Sequence, residues 1–555
     1  MRPAASAESG HGADARRRDH HGLARAALRC LRQQAVRDSR RRAQGHGQGF
    51  RQRHRLYRAQ DRHRSRRHQF RLQRRRRRER LQRRQRNPQR DRRADRARLC
   101  RSGHCQTVGR QLPARLGTGA GLGQTGGPAM TDRRTFLKQA GLLAAALPLG
   151  SGLIAPAVAA TKEPVSADKW IGLKQLFNQD PDYIHFSNFL VTSHPKPVRD
   201  AIEQHRAHID RNPGLAMDWD LQETELREHD VRVWAGKYLN AKPGQIALTG
   251  STTEGLAIIY GGLHIRPDQE ILTTEHEHSC ARSILNFRQQ RDGTQVRRIR
   301  LFKDPAQVSA DEIIGSIARS IQPNTRVLGM TWVQSGSGVK LPLGAIGELV
   351  EEHNRNRDAR DRIIYVVDGV HGFGVENLDF PDMKCDYFVA GTHKWMFGPR
   401  GTGIVCARSE QMTDLTPTIP TFSEATNFAT TMTPGGYHSF EHRWALNKAF
   451  ELHLQLGKAD VQARIHQLNS YMKERLQAQR TIELVTPMDP SLSAGFSFFR
   501  IKDQASDDVA AWLMKNRMVV DAVSRDVGPV VRTAPGLLNS EAEVDRFMAL
   551  LSQRT

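Results

Sequence analysis

Short apolar runs recur along the middle of the chain, at 245–249 (QIALT), 270–274 (EILTT), 326–332 (RVLGMTW), 363–367 (IIYVV) and 387–390 (YFVA). Each has the length and the β-branched or aromatic character of a strand. Between them lie stretches whose apolar residues return every three or four positions, among them 311–321 and 343–354, and that period predicts helices. Strands alternating with helices predict an α/β fold, a mostly parallel sheet covered by helices on both faces. Past 432 the pattern changes. Two long helical stretches, 443–459 and 461–477, lead to one further strand at 495–501 (GFSFFRI) and a closing helix at 541–551. The expected organisation is a large domain over 161–431, N-terminal arm included, followed by a smaller α+β domain over 432–555.

Charge then separates off the beginning of the chain. Residues 1–129 carry 37 arginines, no lysine and 8 acidic residues, whereas from Met130 onward 48 cationic residues face 50 acidic ones. The net charge of +27 therefore belongs wholly to 1–129. With runs such as RRRRRER (74–80) and almost no apolar periodicity, this segment cannot offset its ordering entropy and is expected to be disordered. As a functional tail it would bind nucleic acid or another polyanion. Basic tails normally mix lysine with arginine, however, and this composition reads as GC-rich DNA translated in the wrong frame. On that reading the start is Met130, and nucleic acid is not expected as a partner of the folded part.

The residues after Met130 agree with that start. Arg133-Arg134 precede Phe136-Leu137-Lys138, then a mildly apolar stretch over 140–149, then Ala157-Val158-Ala159. This is the order of a cleaved export signal, and the paired arginines resemble the twin-arginine type. A signal over 130–160, cut near Ala159 or Ala160, implies the twin-arginine export machinery as a partner and a periplasmic destination. Pro148, Gly150, Gly152 and Pro156 interrupt the apolar part, so a permanent membrane span is not expected. Of the cysteines beyond Met130, Cys280, Cys385 and Cys406 are odd in number and lack C-x-x-C spacing, which indicates neither a disulfide framework nor a zinc site. Cys385 and Cys406, in apolar contexts, read as core.

The candidate chemistry sits where the predicted strands end, which is where open α/β sheets bind ligands. Thr249-Gly250-Ser251-Thr252-Thr253-Glu254-Gly255 follows QIAL and opens a helix, so its backbone N–H groups and hydroxyls would face a phosphate. Glu275-His276-Glu277-His278-Ser279 follows the next strand. Its H-x-H lacks a third ligand nearby, and an imidazole stacked flat on an aromatic cofactor, with His278 preferred, fits better than a metal. Asp368 ends an apolar run in VVDGVHGFG. A buried carboxylate there needs a strong partner, and a protonated pyridine is one. His371, three residues on, is placed for the ring's phenolic oxygen. Lys394 lies 26 residues after Asp368 in GTHKWMFGPRGTG (391–403), between an apolar strand and Trp395-Met396-Phe397. Burial would lower its pKa and free the amine for a Schiff base, with Thr392 and His393 in reach of a phosphate. Lysine and aspartate together point to pyridoxal 5'-phosphate.

The set GSTTEG, EHEHS, DGVHGFG and GTHKWMFGPRGTG resembles the class V aminotransferase family of fold-type I pyridoxal-phosphate enzymes, in its isopenicillin N epimerase-like and cysteine desulfurase-like branch. The likeness runs from about 182 to 551. It implies that Thr252 and Thr253 cradle the phosphate, that His278 stacks on the ring, and that Asp368 holds the ring nitrogen. It also implies that His393 meets the phosphate, that Lys394 is the Schiff-base lysine, and that Arg532 of VVRTAPGLLNS clamps the substrate carboxylate. The residues named as catalytic are Lys394, Asp368 and His278. Departures are visible: His371 stands where desulfurases have glutamine, Ser335 where they have a ring-contacting asparagine, and Gly391 where they have a phosphate-binding serine. The loop before Arg532 (523–531, VSRDVGPVV) holds no cysteine to take up sulfur. By the resemblance the protein is a homodimer acting at the Cα of an amino acid, as an aminotransferase or an epimerase-like isomerase. A carbon–sulfur lyase acting on a cysteine derivative is the alternative.

Overall fold

The computed structural model describes residues 167–217, 223–422 and 426–554. The arginine-rich segment and the export signal, expected over 1–129 and 130–160, lie outside the described residues. Along the chain the strands are β1 (Ile184–His185), β2 (Ile246–Thr249), β3 (Glu270–Thr274), β4 (Gln295–Ile299), β5 (Thr325–Thr331), β6 (Ile364–Asp368), β7 (Tyr387–Gly391) and β8 (Gly403–Ala407). They continue with β9 (Ile482–Leu484), β10 (Ser497–Ile501), β11 (Met518–Val519), β12 (Asp521–Arg525) and β13 (Gly528–Thr533).

Strands β2 to β8 form a seven-stranded sheet in the order β2-β8-β7-β6-β5-β3-β4. All run parallel except β8, which is antiparallel to both β2 and β7. The expected α/β architecture is present. Every residue of β2, β3, β5, β6 and β8 is buried, as strands covered on both faces must be. Alternate side chains supply different layers. Tyr365 and Val367 join the core shared with Phe388 and Phe450, while Ile364 and Val366 join the one shared with Leu256 and Phe428. This is the period of two expected of a strand.

A four-stranded antiparallel sheet, β12-β13-β10-β9, makes the smaller layer. The arm preceding the large sheet reaches into it. β1 pairs with β11, and Ile184 and Phe186 pack with Phe499, Val531 and Phe547. Conversely, helix Phe440–Leu456 packs on helices Lys196–Arg211 and Glu223–Leu239 and contributes Leu446, Ala449 and Phe450 to the core of the large sheet. The chain thus crosses between the two layers at both ends of the region expected to be the large domain.

Candidate active site

The parallel strands place their C-terminal ends side by side, and Thr331 lies in register with Asp368. At the end of β2, Ser251 caps helix Thr252–Gly262, its hydroxyl accepting the Glu254 amide at 3.1 Å, and Glu254 accepts the Gly250 amide. The Thr252 and Thr253 amides have no acceptor among the described residues, as the first turn of a helix requires, and they point a positive dipole end outward. Thr252 Oγ1 accepts the Gly391 N–H at 2.7 Å. A Cβ at Gly391 would lie 2.9 Å from Thr252 Oγ1 and 3.2 Å from His393 Cε1. Glycine is needed there because β7 meets the helix end at its backbone. Thr252, Thr253 and His393 are therefore brought together, and His393 Nδ1 is buried without a partner. Thr392 is not presented to this cradle. It is wholly buried, and its hydroxyl lies 2.5 Å from that of Thr402, which itself donates to the Pro399 carbonyl. Thr392 braces the lysine turn.

That turn is tight. Phe397 has φ of +57°, unusual for a large side chain, and is held by Phe397 N–H to Lys394 O at 3.0 Å and Gly398 N–H to Thr392 O at 2.8 Å. Thr192, from the arm, donates its hydroxyl to the Lys394 carbonyl at 2.9 Å. Burial lowers the Lys394 ammonium to about 8, with Arg532 and Arg525 reinforcing the shift and Asp368 opposing it. Its Nζ lies 3.5 Å from His371 Nε2. His371 is buried against Phe189 and Phe496, its Nδ1 has no partner, and burial pushes its pKa well down.

Asp368 accepts the Val370 amide at 3.2 Å and makes no ion pair among the described residues. Burial raises its pKa to about 6, against the Val370 N–H and Lys394. His278 caps helix Ser279–Asp292 by accepting the Cys280 amide at 3.1 Å, which fixes its ring. Burial, then Arg525 and Lys394, lowers its pKa to about 4, so it is neutral. The neighbouring His276 is otherwise committed. Its Nε2 accepts the Leu301 amide, its Nδ1 lies 2.5 Å from Asp526 Oδ2, and its ring stacks on Phe302.

Arg532 approaches Lys394 from β13. It donates to the Ser335 carbonyl at 3.0 Å, and through Nε and Nη2 to Asp521, its register partner on β12. Beside Arg532 and Ser335, which the sequence motifs predict, the structure adds three residues. Asp521 holds the fork. Arg525 donates to Ser335 Oγ at 2.7 Å. Glu277 is buried and bonded to Thr274 Oγ1, Thr331 N and Thr331 Oγ1. Nothing in the pattern of 521–525 (DAVSR), whose apolar residues are adjacent, marks the first two.

The residues suit a phosphorylated pyridine aldehyde. Free amides and the His393 imidazole face one end. Asp368 is a buried acid with no ion pair among the described residues, His278 and His371 are neutral imidazoles, and Lys394 has a lowered pKa beside His371. Fold and site together define a pyridoxal-phosphate-dependent enzyme. The chain belongs to the class V aminotransferase family, whose profile matches residues 191–547, and its coenzyme is pyridoxal 5'-phosphate. It is 26% identical over 408 residues to an isopenicillin N epimerase of Amycolatopsis lactamdurans, covering 70% of this chain and 99% of that one. A cysteine desulfurase of Klebsiella pneumoniae subsp. pneumoniae is 24% identical over 354 residues, 60% of this chain and 83% of the other. Among solved structures, a lysine-to-alanine mutant of C-DES with glycine covalently linked to the PLP cofactor superposes with a TM-score of 0.62 at 20% identity, covering 70% of this chain and 99% of that one. This last likeness is one of fold.

Proposed function

We propose that the protein acts at the Cα of an amino-acid substrate, as an aminotransferase or as an isomerase similar to isopenicillin N epimerase. The observation that carries this reading is that the buried Asp368 carboxyl and the Arg532 guanidinium both lie near enough to Lys394 Nζ to shift its pKa, with Arg532 held by the Ser335 carbonyl. When bound, the coenzyme supplies an aldehyde for the substrate amine and an electron sink for charge developing at Cα.

The side chains do the rest. Three of Arg532's five N–H donors are taken by Asp521 and the Ser335 carbonyl, which leaves two for a carboxylate and fixes the plane in which it docks. Lys394 Nζ, with a pKa near 8, both gains and loses a proton close to neutrality, as a group that takes the Cα proton and returns it must. Asp368, which forms no hydrogen-bonded ion pair among the described residues, would hold the ring nitrogen and stabilise positive charge there. Phe189 and Phe496 keep water from the His371 face.

Sulfur transfer to the protein finds no support. The β12–β13 hairpin holds no thiol, and Cys280, whose charge would sense Lys394, is anchored 3.1 Å from His278 Nδ1 with its pKa raised by burial. The test is incubation of the holoprotein with a panel of amino acids. A keto acid with pyridoxamine phosphate reports transamination, inverted stereochemistry reports epimerisation, and ammonia with pyruvate and a thiol reports the lyase alternative. Lys394→Ala should lose about 10²–10⁴-fold in turnover and the borohydride-fixed coenzyme at that position. Full turnover by this variant would exclude the mechanism.

A further inference from the structure

Ser335 is the meeting point of two arginines, and only one has a counter-ion. Arg532 donates to its carbonyl and is paired with Asp521, while Arg525 donates to its hydroxyl at 2.7 Å and makes no ion pair among the described residues. Arg525 is not a loose surface side chain. Its neighbour Asp526 is tied at 2.5 Å to His276, and both of those side chains are nearly buried. A Cβ at Gly336 would fall 2.7 Å from Asp526 Oδ1 and 3.2 Å from Arg525 Cβ. The tip of the β12–β13 hairpin is therefore clamped onto the loop after β5, and the clamp sets where the guanidinium lies. Arg525 and Arg532 both lie near enough to Lys394, His278 and His371 to lower their pKa values. Arg282 adds a third positive charge beside Arg525. The two acids in range, Asp521 and Asp526, are committed to Arg532 and His276. A guanidinium keeps its charge under burial and favours a planar anion held by two parallel hydrogen bonds.

We infer that the substrate is an amino acid with a second carboxylate, received by Arg525 while Arg532 holds the one on Cα. This rests on the proposed action at Cα and adds the substrate class. Arg525 is a specificity-determining residue.

The test titrates the full-chain holoprotein calorimetrically with succinate, glutarate and adipate, and with the monoacids butyrate, valerate and hexanoate. None has an amine, so each occupies the anion sites without reacting. At least one diacid should bind about tenfold or more tightly than the monoacid of its length. Arg525→Gln should bring that diacid down to the monoacid's affinity, and Arg525→Lys should keep part of the preference. Equal binding of diacids and monoacids by the unaltered protein overturns the inference. So does an Arg525→Gln protein, folded by circular dichroism, that weakens both classes equally, since Arg525 would then hold the only carboxylate. If Arg525→Gln does not fold, the Arg525→Lys protein decides, and a full diacid preference there overturns the inference. A diacid preference together with an inert amino-acid panel would sink the proposed reaction and leave this subsite standing.

Discussion

Asp368 and Lys394 each hold back the other's shift. Burial raises the carboxyl to about 6 and lowers the amine to about 8, and the attraction between them opposes both changes. At pH 7 an amine of pKa 8 is roughly one-tenth neutral, and only the neutral form attacks an aldehyde. Asp368→Asn keeps an acceptor for the Val370 amide but removes the charge that retains the proton on Lys394. The rate at which apoprotein takes up coenzyme should then reach its plateau at lower pH than in the unaltered protein. Absorbance-followed reconstitution across pH would show this, and a midpoint that stays or moves upward would refute the coupling. Lys394, Asp368, His278 and Thr252 were legible in the sequence because each lies in a short contiguous motif at a strand end. Arg525, Asp521 and Glu277 were not. Their roles come from contacts that exist only once the strands are paired and the loops folded, and a charged residue by itself carries no mark of its partner.

Strands and helices were legible where one face or both were apolar. Helices Leu343–Asn354 and Glu541–Leu551 fall where their periodicity placed them, and β3 likewise. Two strands of the large sheet escaped. β4 (QVRRI) is an edge strand with no fully buried residue, so solvent masks its alternation, and β8 (GIVCA) is a short run whose sequence points only to a core cysteine. Ends moved by a residue or more where a cap intervened, as at Ser309, whose hydroxyl accepts the Glu312 amide and starts helix Ala310–Ser320. The strand ends are themselves fastened by Glu277, which bonds Thr274 at the end of β3 and Thr331 at the end of β5. Burial raises its pKa from 4.5 to about 7. A raised carboxyl pKa means that folding takes up a proton. The stability this group contributes is full below pH 4.5 and is lost as pH climbs through 7, on the order of 3 kcal/mol. Glu277→Gln stays neutral, so its apoprotein should melt higher than the unaltered one at pH 8, with the gap closing towards pH 5. Equal melting temperatures at pH 8 would show that Glu277 does not titrate as its burial requires.

The whole molecule depends on an arm that hydropathy alone barely registers. From β1 in the small layer the chain passes Phe186, whose carbonyl accepts the Ala534 amide at 2.8 Å, then Phe189, and ends this path at Thr192 on the lysine turn. Phe189 is wholly buried. Its ring lies 4.8 Å from the Arg532 guanidinium carbon and 6.3 Å from the His371 ring. One side chain thus lies between the arginine on the small sheet and His371, the neighbour of Lys394 Nζ. Leucine at 189 would keep most of the apolar volume at a cost of about 1 kcal/mol, but would remove a ring–guanidinium attraction of about 0.5–2 kcal/mol. Arg532 would then be less firmly oriented towards the substrate carboxylate, while Lys394 and its turn stay in place. Phe189→Leu should therefore raise KM several-fold for the amino-acid substrate and change kcat much less. Steady-state kinetics beside a thermal melt separate the two possibilities. A lower Tm with an unchanged KM would reduce the arm to a structural brace, whereas a raised KM at nearly constant Tm would show that the arm orients the substrate site.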